Sequence, residues 1–599
     1  MKIIPVAVNA QYIHTNPAVR GIAALLRAER HEVMVVESTI NNTARALLAE
    51  LYHAYTPGGT VYIFSCYIWN IDMITRVAAD LRRVCPDAVL AAAGPQVSYH
   101  CARFLAGNPA FDYVLYGEGE TSTPLFAAML AAGNTPDTCP GLYYRLDNGD
   151  IACTEPAPLP DMDALPFAYT DLAELPGRIL YYESMRGCPF ACSYCLSGAE
   201  GGVRTRALLL VYGDLQRFLD ARVPQVKFVD RTFNARPAHA MGIWRYLMEN
   251  DNGVTNFHFE LSGELLNDDM LSLLHGARPG LFQFEIGVQS GNEQTLAEIN
   301  RPFSYDRLRR AVDGLLAAGN IHLHLDLIAG LPHEDFESFG RSFDAVFALN
   351  PEQLQLGFLK VLPGSEMEEK AESYGLVASP AAPFEVLHTR WLSFGELQAL
   401  HGIADLVDSY HNSGRFRQIM GFILPHFASP FACYLSFWQW FVRHGYAARP
   451  LSKIGYYDIL ADFMADSGIA VTPRAKWLCK YDVLCNEKPR KYPKWVDVDI
   501  TAGYYHSILA FLSQSEVYEK YLPLYRDSEP KHVMRLVHVE IFPAGCAPEG
   551  DFAAMAAGEM AGVVPTVPPM AMPLAVLFDY RAGRRFFFRV GAEGEILLV

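Results

Sequence analysis

The sequence has little positive charge. Its 599 residues include 49 Lys and Arg against 66 Asp and Glu, which gives a formal net charge of −17. Proteins that bind nucleic acid present a basic surface to its phosphates. This composition argues against nucleic acid as a partner, although local basic patches stay open.

A long uninterrupted apolar segment is also missing. A membrane-spanning helix needs about 20 consecutive apolar residues, and the longest apolar region, 420–442, is interrupted by Pro425, His426, Pro430 and Gln439. We expect core helices there and no membrane span. The first residues form too short an apolar run for a secretory signal, and the 12 cysteines do not form a compact secreted framework. These absences predict a cytoplasmic protein.

What the sequence does contain is a group of three closely spaced cysteines, Cys188, Cys192 and Cys195, directly after an apolar run. Thiolates are soft ligands, and short spacers let one loop curl around a metal cluster. Three ligands would leave one iron of a four-iron cluster without a protein sulfur. Structural zinc sites usually show a second cysteine pair nearby, and a disulfide would leave an odd thiol in a reducing compartment, so both alternatives fit less well.

Residues 2 to about 135 alternate short apolar runs with segments of helical spacing. Strands are predicted at 2–8, 32–37, 61–65, 88–93 and 112–116. Alternating strands and helices predict an α/β fold whose N-terminal part is a doubly wound, Rossmann-like parallel sheet. Ligands of such sheets bind beyond the carboxyl ends of the strands, which here are the loops 9–17, 66–72, 94–97 and 117–120.

A second series of alternating strands and helices runs from 178 to about 385, with strands predicted at 179–184, 225–229, 258–262, 282–287, 322–328 and 353–361. Six such units make a (β/α)₆ series, whose functional groups are expected at the carboxyl ends of the strands. Polar residues occur on or just after these strands: Asp230, Glu260, Ser262, Glu285 and Gln289.

The remaining segments are less informative. A hairpin is predicted at 142–152 around Asn148-Gly149-Asp150, followed by a Pro-rich linker. Residues 390–466 are predicted to be mostly helical, and strands at 576–580, 585–589 and 595–599 predict a small antiparallel sheet. The mixture of cations and aromatics at 476–495 predicts a solvated connection, with anion binding as the alternative. The expected domains are 1–140, 141–177 (hairpin and linker), 178–385 and 386–599.

The pattern C-x₃-C-x₂-C, with Tyr194 before its last cysteine and a strand ahead of it, resembles the radical S-adenosylmethionine (SAM) superfamily. The resemblance implies a partial TIM-like barrel and a [4Fe–4S] cluster on Cys188, Cys192 and Cys195, where reductive cleavage of SAM gives a 5′-deoxyadenosyl radical. The stretch 285–290 is similar to the family's fourth-strand motif, which implies SAM contacts from Glu285 and Gln289. The family's Gly-Gly-Glu is absent, and Asp230 stands in its place. Glu260 and Ser262 complete the implied SAM set.

The N-terminal region, placed directly before this motif, resembles the cobalamin-binding domain of the B12-dependent radical SAM family in the stretches 64–70, 93–97 and 116–120. The family's Asp-x-His-x-x-Gly is absent, so the lower ligand of cobalt is unassigned. His14 is either that ligand or a residue that caps a helix or lines the pocket. The resemblance implies cobalamin contacts from the strand-end loops: Tyr12, His14, Ser65, Cys66, Tyr67, Trp69, Gly94, Pro95, Gln96, Gly117, Glu118 and Gly119.

Together these features predict a cobalamin-dependent radical SAM enzyme that methylates an unactivated carbon of a small molecule or natural product. An electron donor such as flavodoxin or ferredoxin is expected, and no catalytic residue is assigned. The alternative is a non-methylating rearrangement, cyclisation or reduction. A third hypothesis is a cobalamin-binding sensor or scaffold. The C-terminal part resembles an uncharacterised domain that often follows such cores, which implies no chemistry.

Overall fold

The computed structural model describes residues 1–198, 202–301, 304–546 and 573–598. The chain divides into two compact units. The first unit comprises Met1–Ser342 and Leu356–Leu397, and the second comprises Phe343–Gln355 and Gln398–Val599.

The first unit begins with an eight-stranded sheet in the spatial order β2-β1-β4-β5-β6-β7-β8, with β3 also paired to β1. Its strands are β1 (Lys2–Asn9), β2 (Glu32–Val33), β3 (Val36–Thr39), β4 (Thr60–Ser65), β5 (Val89–Ala93), β6 (Tyr113–Leu115), β7 (Leu142–Arg145) and β8 (Ile151–Cys153). Its helices are α1 (Pro17–Ala28), α2 (Ala44–Ala54), α3 (Ile71–Val84), α4 (Cys101–Gly107) and α5 (Gly119–Ala131). Pairs among β1–β6 are parallel, and β7 and β8 join in antiparallel fashion.

Alternate side chains of these strands pack against helices on opposite faces, as a doubly wound sheet requires. Ile4, Val6 and Val8 belong to a core with α2, α3 and α4, whereas Ile3 belongs to a core with α1 and α5. The predicted hairpin is confirmed and extends this sheet. The strand predicted at 32–37 is instead two short strands, both paired with β1.

The second sheet has six strands in the order β16-β15-β14-β13-β12-β9, with no pairing between β16 and β9. The strands are β9 (Ile179–Tyr182), β12 (Gln225–Phe228), β13 (Asn256–Leu261), β14 (Phe282–Gln289), β15 (His322–Ala329) and β16 (Gln353–Phe358). Two short pairs accompany them, β10 (Met185–Arg186) with β11 (Arg204–Thr205) and β17 (Val377–Ala378) with β18 (Val386–His388). The helices are α6 (Leu208–Asp220), α7 (Pro237–Glu249), α8 (Asp268–Leu274), α9 (Glu293–Glu298), α10 (Tyr305–Ala317), α11 (Phe336–Phe347) and α12 (Glu366–Glu369).

One face of this sheet is aromatic and packs on helices, with Trp244 of α7 against Phe259 and Phe284. Because side chains alternate along a strand, the opposite face carries the polar residues, among them Lys227, Glu260 and Glu285. The six predicted strands are confirmed.

The second unit is largely helical and ends in a four-stranded antiparallel sheet. The helices from residue 394 onward are α13 (Phe394–Val407), α14 (Arg417–Ile423), α15 (Pro430–Arg443), α16 (Lys453–Asp466), α17 (Pro473–Asn486), α18 (Tyr505–Phe511), α19 (Ser515–Lys520) and α20 (Pro530–Leu536). The strands are β19 (Val537–Phe542), β20 (Leu574–Asp579), β21 (Arg584–Val590) and β22 (Ile596–Leu597). The last three strands were predicted, although Val599 lies outside the described residues, and β19 was missed.

The interpretation of 476–495 as a solvated connection is wrong for its first part. Lys480 is 3% exposed and Trp477 is buried beside it in α17. The Lys480 ammonium lies 2.9 Å from Glu540 Oε1 and donates to Val498 O, so burial of this cation is offset by an ion pair.

No helix among the described residues is by itself long and apolar enough to cross a membrane. One bent pair, Arg417–His426 with Pro430–Arg443, meets the length and composition test only when its two parts are taken together.

Candidate functional site

A cavity of about 1020 Å³ lies between the two sheets of the first unit. The N-terminal sheet lines it with the loops that follow β1, β4, β5 and β6, and the second sheet lines it with the ends of β9 and β12 and the cysteine loop. Both sheets therefore turn the carboxyl ends of their parallel strands toward one space. This is the position at which ligands of such sheets bind.

The cysteine loop folds back on itself directly after β10. A Cβ on Gly198 would lie 2.1 Å from Phe190 O, and a Cβ on Gly187 would lie 2.2 Å from Gly202 O. Backbone approaches this close require glycine. The three cysteines are not joined in disulfides, and Cys195 lines the cavity.

Each of the three thiols has a polar neighbour of the kind that tunes a metal–thiolate site. Thr232 Oγ1 lies 3.3 Å from Cys188 Sγ, Arg301 Nη1 lies 3.8 Å from Cys192 Sγ, and Ser197 N donates to Cys195 Sγ at 3.4 Å. None of these three residues was predicted. Thr232 and Arg301 are distant from the cysteines in sequence, and Ser197 makes its contact through its backbone N–H.

The loop after β4 supplies aromatic surface to the cavity. Tyr67 and Trp69 both line it, with their rings stacked at 4.4 Å, and Trp69 Nε1 donates to Val8 O. Pro95 and Gln96 line the cavity from the loop after β5.

Three other predicted cobalamin contacts support this surface from behind. Ser65 and Cys66 are buried at the end of β4, and burial raises the pKa of the Cys66 thiol to about 12. Gly94 has φ of +104°, and a Cβ there would lie 2.7 Å from Cys66 O. Glycine at 94 therefore lets the two loops meet.

The loop after β1 is largely engaged in holding the two sheets together. Arg178 lies over the Tyr12 ring at 3.9 Å and donates to His14 O, while His14 Nδ1 lies 2.5 Å from the Tyr181 hydroxyl. His14 lines the cavity, and burial together with Lys227 lowers the pKa of its imidazole. Its Nε2 can bind a metal only in the tautomer whose Nδ1 carries the proton and donates to Tyr181.

Glu118 is paired with two arginines of the short strands β10 and β11. It pairs with Arg186 at 2.5 Å and with Arg204, while Arg186 also pairs with Glu120 at 2.8 Å and Glu183 at 2.6 Å. We call these five residues the arginine clamp. The residues on either side of Glu118 are glycines. Gly117, with φ of +77°, forms the turn, and Gly119 begins α5.

Asp230 is buried at 1% exposure beneath the strand ends. Its carboxyl group accepts from Ser184 N at 2.9 Å and from Ser184 Oγ at 2.5 Å. Burial raises its pKa to about 8, and the Ser184 hydrogen bonds oppose that shift. The residues that line the cavity next to it are Val229 and Arg231.

The polar face of the second sheet carries a cluster of acids and imidazoles. Glu260 pairs with Arg231 at 3.6 Å, and burial raises its pKa to about 7 against the effect of Arg231. Glu285 lies 3.3 Å from His258 Nε2 and 3.7 Å from His324 Nδ1. Burial alone would raise the pKa of Glu285, but these imidazoles hold it below its ordinary value.

Neither histidine was predicted, although the alternation of polar and apolar residues in 256–261 and 322–329 was a usable signal.

Ser262 and Gln289 stand at strand ends. Ser262 is buried, and its backbone is held by Asn234, which donates to Ser262 O and accepts from Ser262 N. Gln289 has φ of +72° at an irregularity in the pairing of β14 with β15. Its side chain lies over Gly287, whose carbonyl accepts from Arg301. Arg301 thus connects this strand end with Cys192.

Three family models match the chain: the B12 binding domain over residues 3–127, the radical SAM superfamily over 182–346, and a protein of unknown function (DUF4080) over 372–553. The chain therefore carries the B12-binding and radical SAM domains of the B12-binding radical SAM proteins, in that order, followed by DUF4080. The resemblance drawn from the sequence is confirmed.

Among curated proteins, the cobalamin-dependent radical SAM methyltransferase TokK of Streptomyces tokunonensis is 27% identical over 348 residues, which cover 53% of this chain and 50% of TokK. The anaerobic magnesium-protoporphyrin IX monomethyl ester cyclase of Synechocystis is 24% identical, with 47% and 58% covered. The chain thus spans about half the length of the curated relatives it matches.

Among solved structures, the radical SAM methyltransferase TsrM of Kitasatospora setae, with cobalamin and a [4Fe–4S] cluster bound, is similar at a TM-score of 0.55 and 18% identity. The match covers 63% of this chain and 76% of TsrM. At this identity the likeness shows the fold alone, and the chain has the mixed α/β fold described above.

Proposed function

We propose that this protein is a cobalamin-dependent radical SAM enzyme that methylates an unactivated carbon of a small molecule. One observation carries the proposal: the cysteine loop and the strand-end loops of the B12-binding domain line the same cavity of about 1020 Å³. That volume is at the upper limit of ordinary small-molecule sites, about 300–1,000 Å³, and suits a bulky cofactor beside a substrate.

Cys188, Cys192 and Cys195 would hold a [4Fe–4S] cluster, since three unbridged thiols share one tight loop and each has a polar neighbour. With SAM on the open iron, such a cluster supplies the 5′-deoxyadenosyl radical. The protein's part is to fix the loop, with Gly187 and Gly198 at the close backbone approaches, and to set the charge around the sulfurs through Arg301.

Cobalamin would be held by the loops after β4, β5 and β6, where it would supply a transferable methyl group. Tyr67, Trp69, Pro95, Gln96 and Glu118 line the cavity. Ser65, Cys66 and Gly94 support that surface from behind. The other residues proposed for cobalamin are neighbours of these in the loops after β1 and β6: Tyr12, Gly117 and Gly119. The lower ligand of cobalt stays unassigned, because His14 is shared with Tyr181.

Of the two predicted SAM contacts on the fourth strand of the second sheet, β14, Gln289 is the one at the strand end. Glu285 precedes it by four residues, roughly 13 Å along a strand. Glu260 and its partner Arg231 stand on the same polar face. Ser262 would contribute to SAM binding indirectly, through the hydrogen bond that its carbonyl accepts from Asn234. Asp230 would also contribute indirectly, through the hydrogen bond that it accepts from Ser184 N.

The test is anaerobic turnover of the reconstituted enzyme with methyl-labelled SAM and candidate substrates. Methylation requires label in a product together with both 5′-deoxyadenosine and S-adenosylhomocysteine. The variant Cys192→Ala serves as the control, because loss of one thiol removes a cluster ligand and leaves the B12-binding loops unchanged. Deoxyadenosine without labelled product would exclude methylation.

A second candidate is a non-methylating cyclisation, rearrangement or reduction, favoured by the similarity to the cyclase of Synechocystis. It requires deoxyadenosine but no S-adenosylhomocysteine, so the same assay separates the two.

We further propose a cytoplasmic location and an electron donor of the flavodoxin or ferredoxin type. The proposed division of the chain is 1–140 for cobalamin, 141–177 as hairpin and linker, 178–385 for the cluster and SAM, and 386–599 as a C-terminal domain of unassigned role.

A further inference from the structure

The cavity of the first unit has a thin wall on one side. Residues 362–369, which follow β16 and end in α12, form one half of that wall, and we call them the strap. The first two residues of the strap line the cavity, whereas the next one, Gly364, is exposed. On the facing half, Tyr99 lines the cavity and the neighbouring His100 is exposed. One layer of residues therefore separates the cavity from solvent at this place.

The two halves of the wall meet at Tyr99 and His100. Gly364 packs directly on the Tyr99 ring, since a Cβ at 364 would lie 2.3 Å from Tyr99 Cδ1. Glu368 Oε2 lies 3.0 Å from His100 Nε2 and also accepts from Gly364 N at 2.7 Å. The His100 and Glu368 side chains are 46% and 36% exposed. Exposed pairs of this kind contribute little to stability, so this contact is easily broken.

The strap is anchored more firmly to the domain of the second sheet. Met367 is fully buried, and its N–H donates to Ser193 O of the cysteine loop at 2.8 Å. Just before the strap, Val361 N donates to Phe384 O at 2.9 Å. The strap can therefore separate from the facing half of the wall while it stays attached to the cysteine loop.

Elsewhere around the cavity, stronger contacts join the N-terminal domain to the domain of the second sheet. Arg186 pairs with Glu118 at 2.5 Å and with Glu120 at 2.8 Å, and these three side chains are at most 20% exposed. In the loop after β1, Ile13 O accepts a backbone hydrogen bond from Ile179 N at 2.7 Å. Of these three places, the strap is the least firmly held.

We propose that the strap is a gate through which cobalamin enters and leaves the cavity. A bulky cofactor reaches a site between two joined domains when part of the wall moves aside. Tyr99 and His100 come shortly after Pro95 and Gln96, which line the cavity in the loop after β5. Release of the strap therefore opens the wall beside one of the loops proposed to hold cobalamin. The gate depends on the proposed cobalamin site and is independent of the methylation step.

A gate has a kinetic signature that a binding contact lacks. The fraction of time that the gate is open multiplies the association and the dissociation rate constants alike, so Kd stays the same. Loss of a contact with the ligand instead raises mainly the dissociation rate constant, and Kd rises with it. His100 and Glu368 are not among the residues that line the cavity, so their substitution tests the gate without removing a cavity-lining side chain.

The experiment measures association and dissociation of aquacobalamin with the full-length chain by stopped-flow absorbance. His100→Ala and Glu368→Ala should each raise both rate constants about two- to fivefold, with Kd within about twofold of the parent value. A two- to fivefold change corresponds to about 0.4–1 kcal/mol. The double variant should be no faster than Glu368→Ala, because both substitutions remove the same contact.

Gly364→Ala tests the packing contact independently of the exposed pair. Its Cβ would meet the Tyr99 ring and hold the strap away from the facing half, so both rate constants should rise at least as much as in His100→Ala. His444→Ala is the matched control. His444 and Asp466 form an exposed pair at 3.4 Å in the second unit, and loss of that pair should leave both rate constants unchanged.

Unchanged rate constants in His100→Ala, Glu368→Ala and Gly364→Ala would overturn the gate. A rise in the dissociation rate constant alone would also overturn it, because the strap would then act as a binding contact. A parent chain that takes up no cobalamin would overturn the cobalamin site, and the gate with it. None of these outcomes bears on methylation, which the labelled-SAM assay tests separately.

Discussion

Asp230 carries a carboxyl group that the fold keeps mostly protonated at pH 7. Its folded pKa of about 8 lies above the unfolded value of about 3.9. The folded state therefore binds more protons than the unfolded state, and the free energy of unfolding should decrease as pH rises from about 4 to 8.

We predict that Asp230→Asn folds and removes that decrease, because a neutral amide can accept from Ser184 N and donate to Ser184 Oγ. Wild type should lose about 2 kcal/mol between pH 6 and 8 relative to the variant. Chemical unfolding at several pH values measures this. Asp313→Asn, at an exposed carboxylate, is the control, and a parallel pH dependence of Asp230→Asn and wild type would contradict the prediction.

Arg301 is the cation beside the proposed cluster ligand Cys192. Its Nη1 lies 3.8 Å from Cys192 Sγ, and its Nη2 donates to Gly287 O. Positive charge and N–H donors near cluster sulfurs favour the reduced cluster. We predict that Arg301→Met lowers the cluster midpoint potential by tens of millivolts, measured by potentiometry with electron paramagnetic resonance detection.

Arg309→Met changes an exposed arginine paired with Asp313 and should leave the potential unchanged. An equal shift in both variants would mean that Arg301 does not act through the sulfur.

Single-residue roles were the part least accessible from the sequence. The cysteine spacing predicted the loop, but Thr232 and Arg301 reach it from 44 and 109 residues away, and no local pattern encodes such contacts. Asp230 and Ser262 were predicted as SAM contacts from their positions after strands. Position along a strand does not reveal that a carboxyl group is turned inward onto Ser184.

At the scale of elements, the close contact between the loops after β4 and β5 depends on Gly94. A Cβ at 94 would lie 2.7 Å from Cys66 O, and φ there is +104°. We predict that Gly94→Ala destabilises the protein by about 1–3 kcal/mol and weakens cobalamin binding, measured by thermal unfolding and by cobalamin titration.

Gly107 ends α4 with open space around it. Gly107→Ala should therefore be neutral or slightly stabilising. Equal stability of Gly94→Ala and Gly107→Ala would show that the two loops can move apart enough to accommodate a Cβ at position 94.

The arginine clamp joins the start of α5 to the stretch just before the cysteine loop. Glu118 follows β6 at the start of α5, whereas Glu183 lies between β9 and β10, three residues before Arg186. We predict that Glu118→Gln lowers cobalamin affinity more than Glu183→Gln does, because Glu118 joins the start of α5 to both β10 and β11, whereas Glu183 pairs with an arginine three residues along the chain. Equilibrium titration of both variants measures the difference, and equal effects would assign the clamp a purely local role.

The βα alternation predicted both sheets because apolar periodicity is a local property of the chain. It could not predict β19, which pairs with a strand beginning at Leu574, or the burial of Lys480, whose partner Glu540 is 60 residues distant. The residues on the polar face of the second sheet were predicted only in part. Glu285 belongs to the fourth-strand motif that the resemblance identified, whereas His258 and His324 belong to no such motif.

At the scale of the molecule, the boundary between the two units is not a single cut in the chain. The segment Phe343–Gln355, which includes the end of α11 and the start of β16, belongs to the second unit. There Phe343 packs on Phe431 and Tyr434, Asp344 accepts from Phe431 N at 2.7 Å, and Leu354 N donates to Asn412.

We therefore predict that a fragment comprising residues 1–393 is insoluble or loses cooperative unfolding, although it contains both sheets and the cysteine loop. The cut exposes Phe343 and Phe347 and leaves Asp344 without its partner, so apolar surface drives association. Phe347→Lys in the fragment should recover part of its solubility, whereas the same change in the full chain should destabilise it by loss of the contact with His411. Size-exclusion chromatography and thermal unfolding of the four proteins measure these effects. A monodisperse 1–393 fragment that unfolds as cooperatively as the full chain would mean that 343–355 folds without the C-terminal helices.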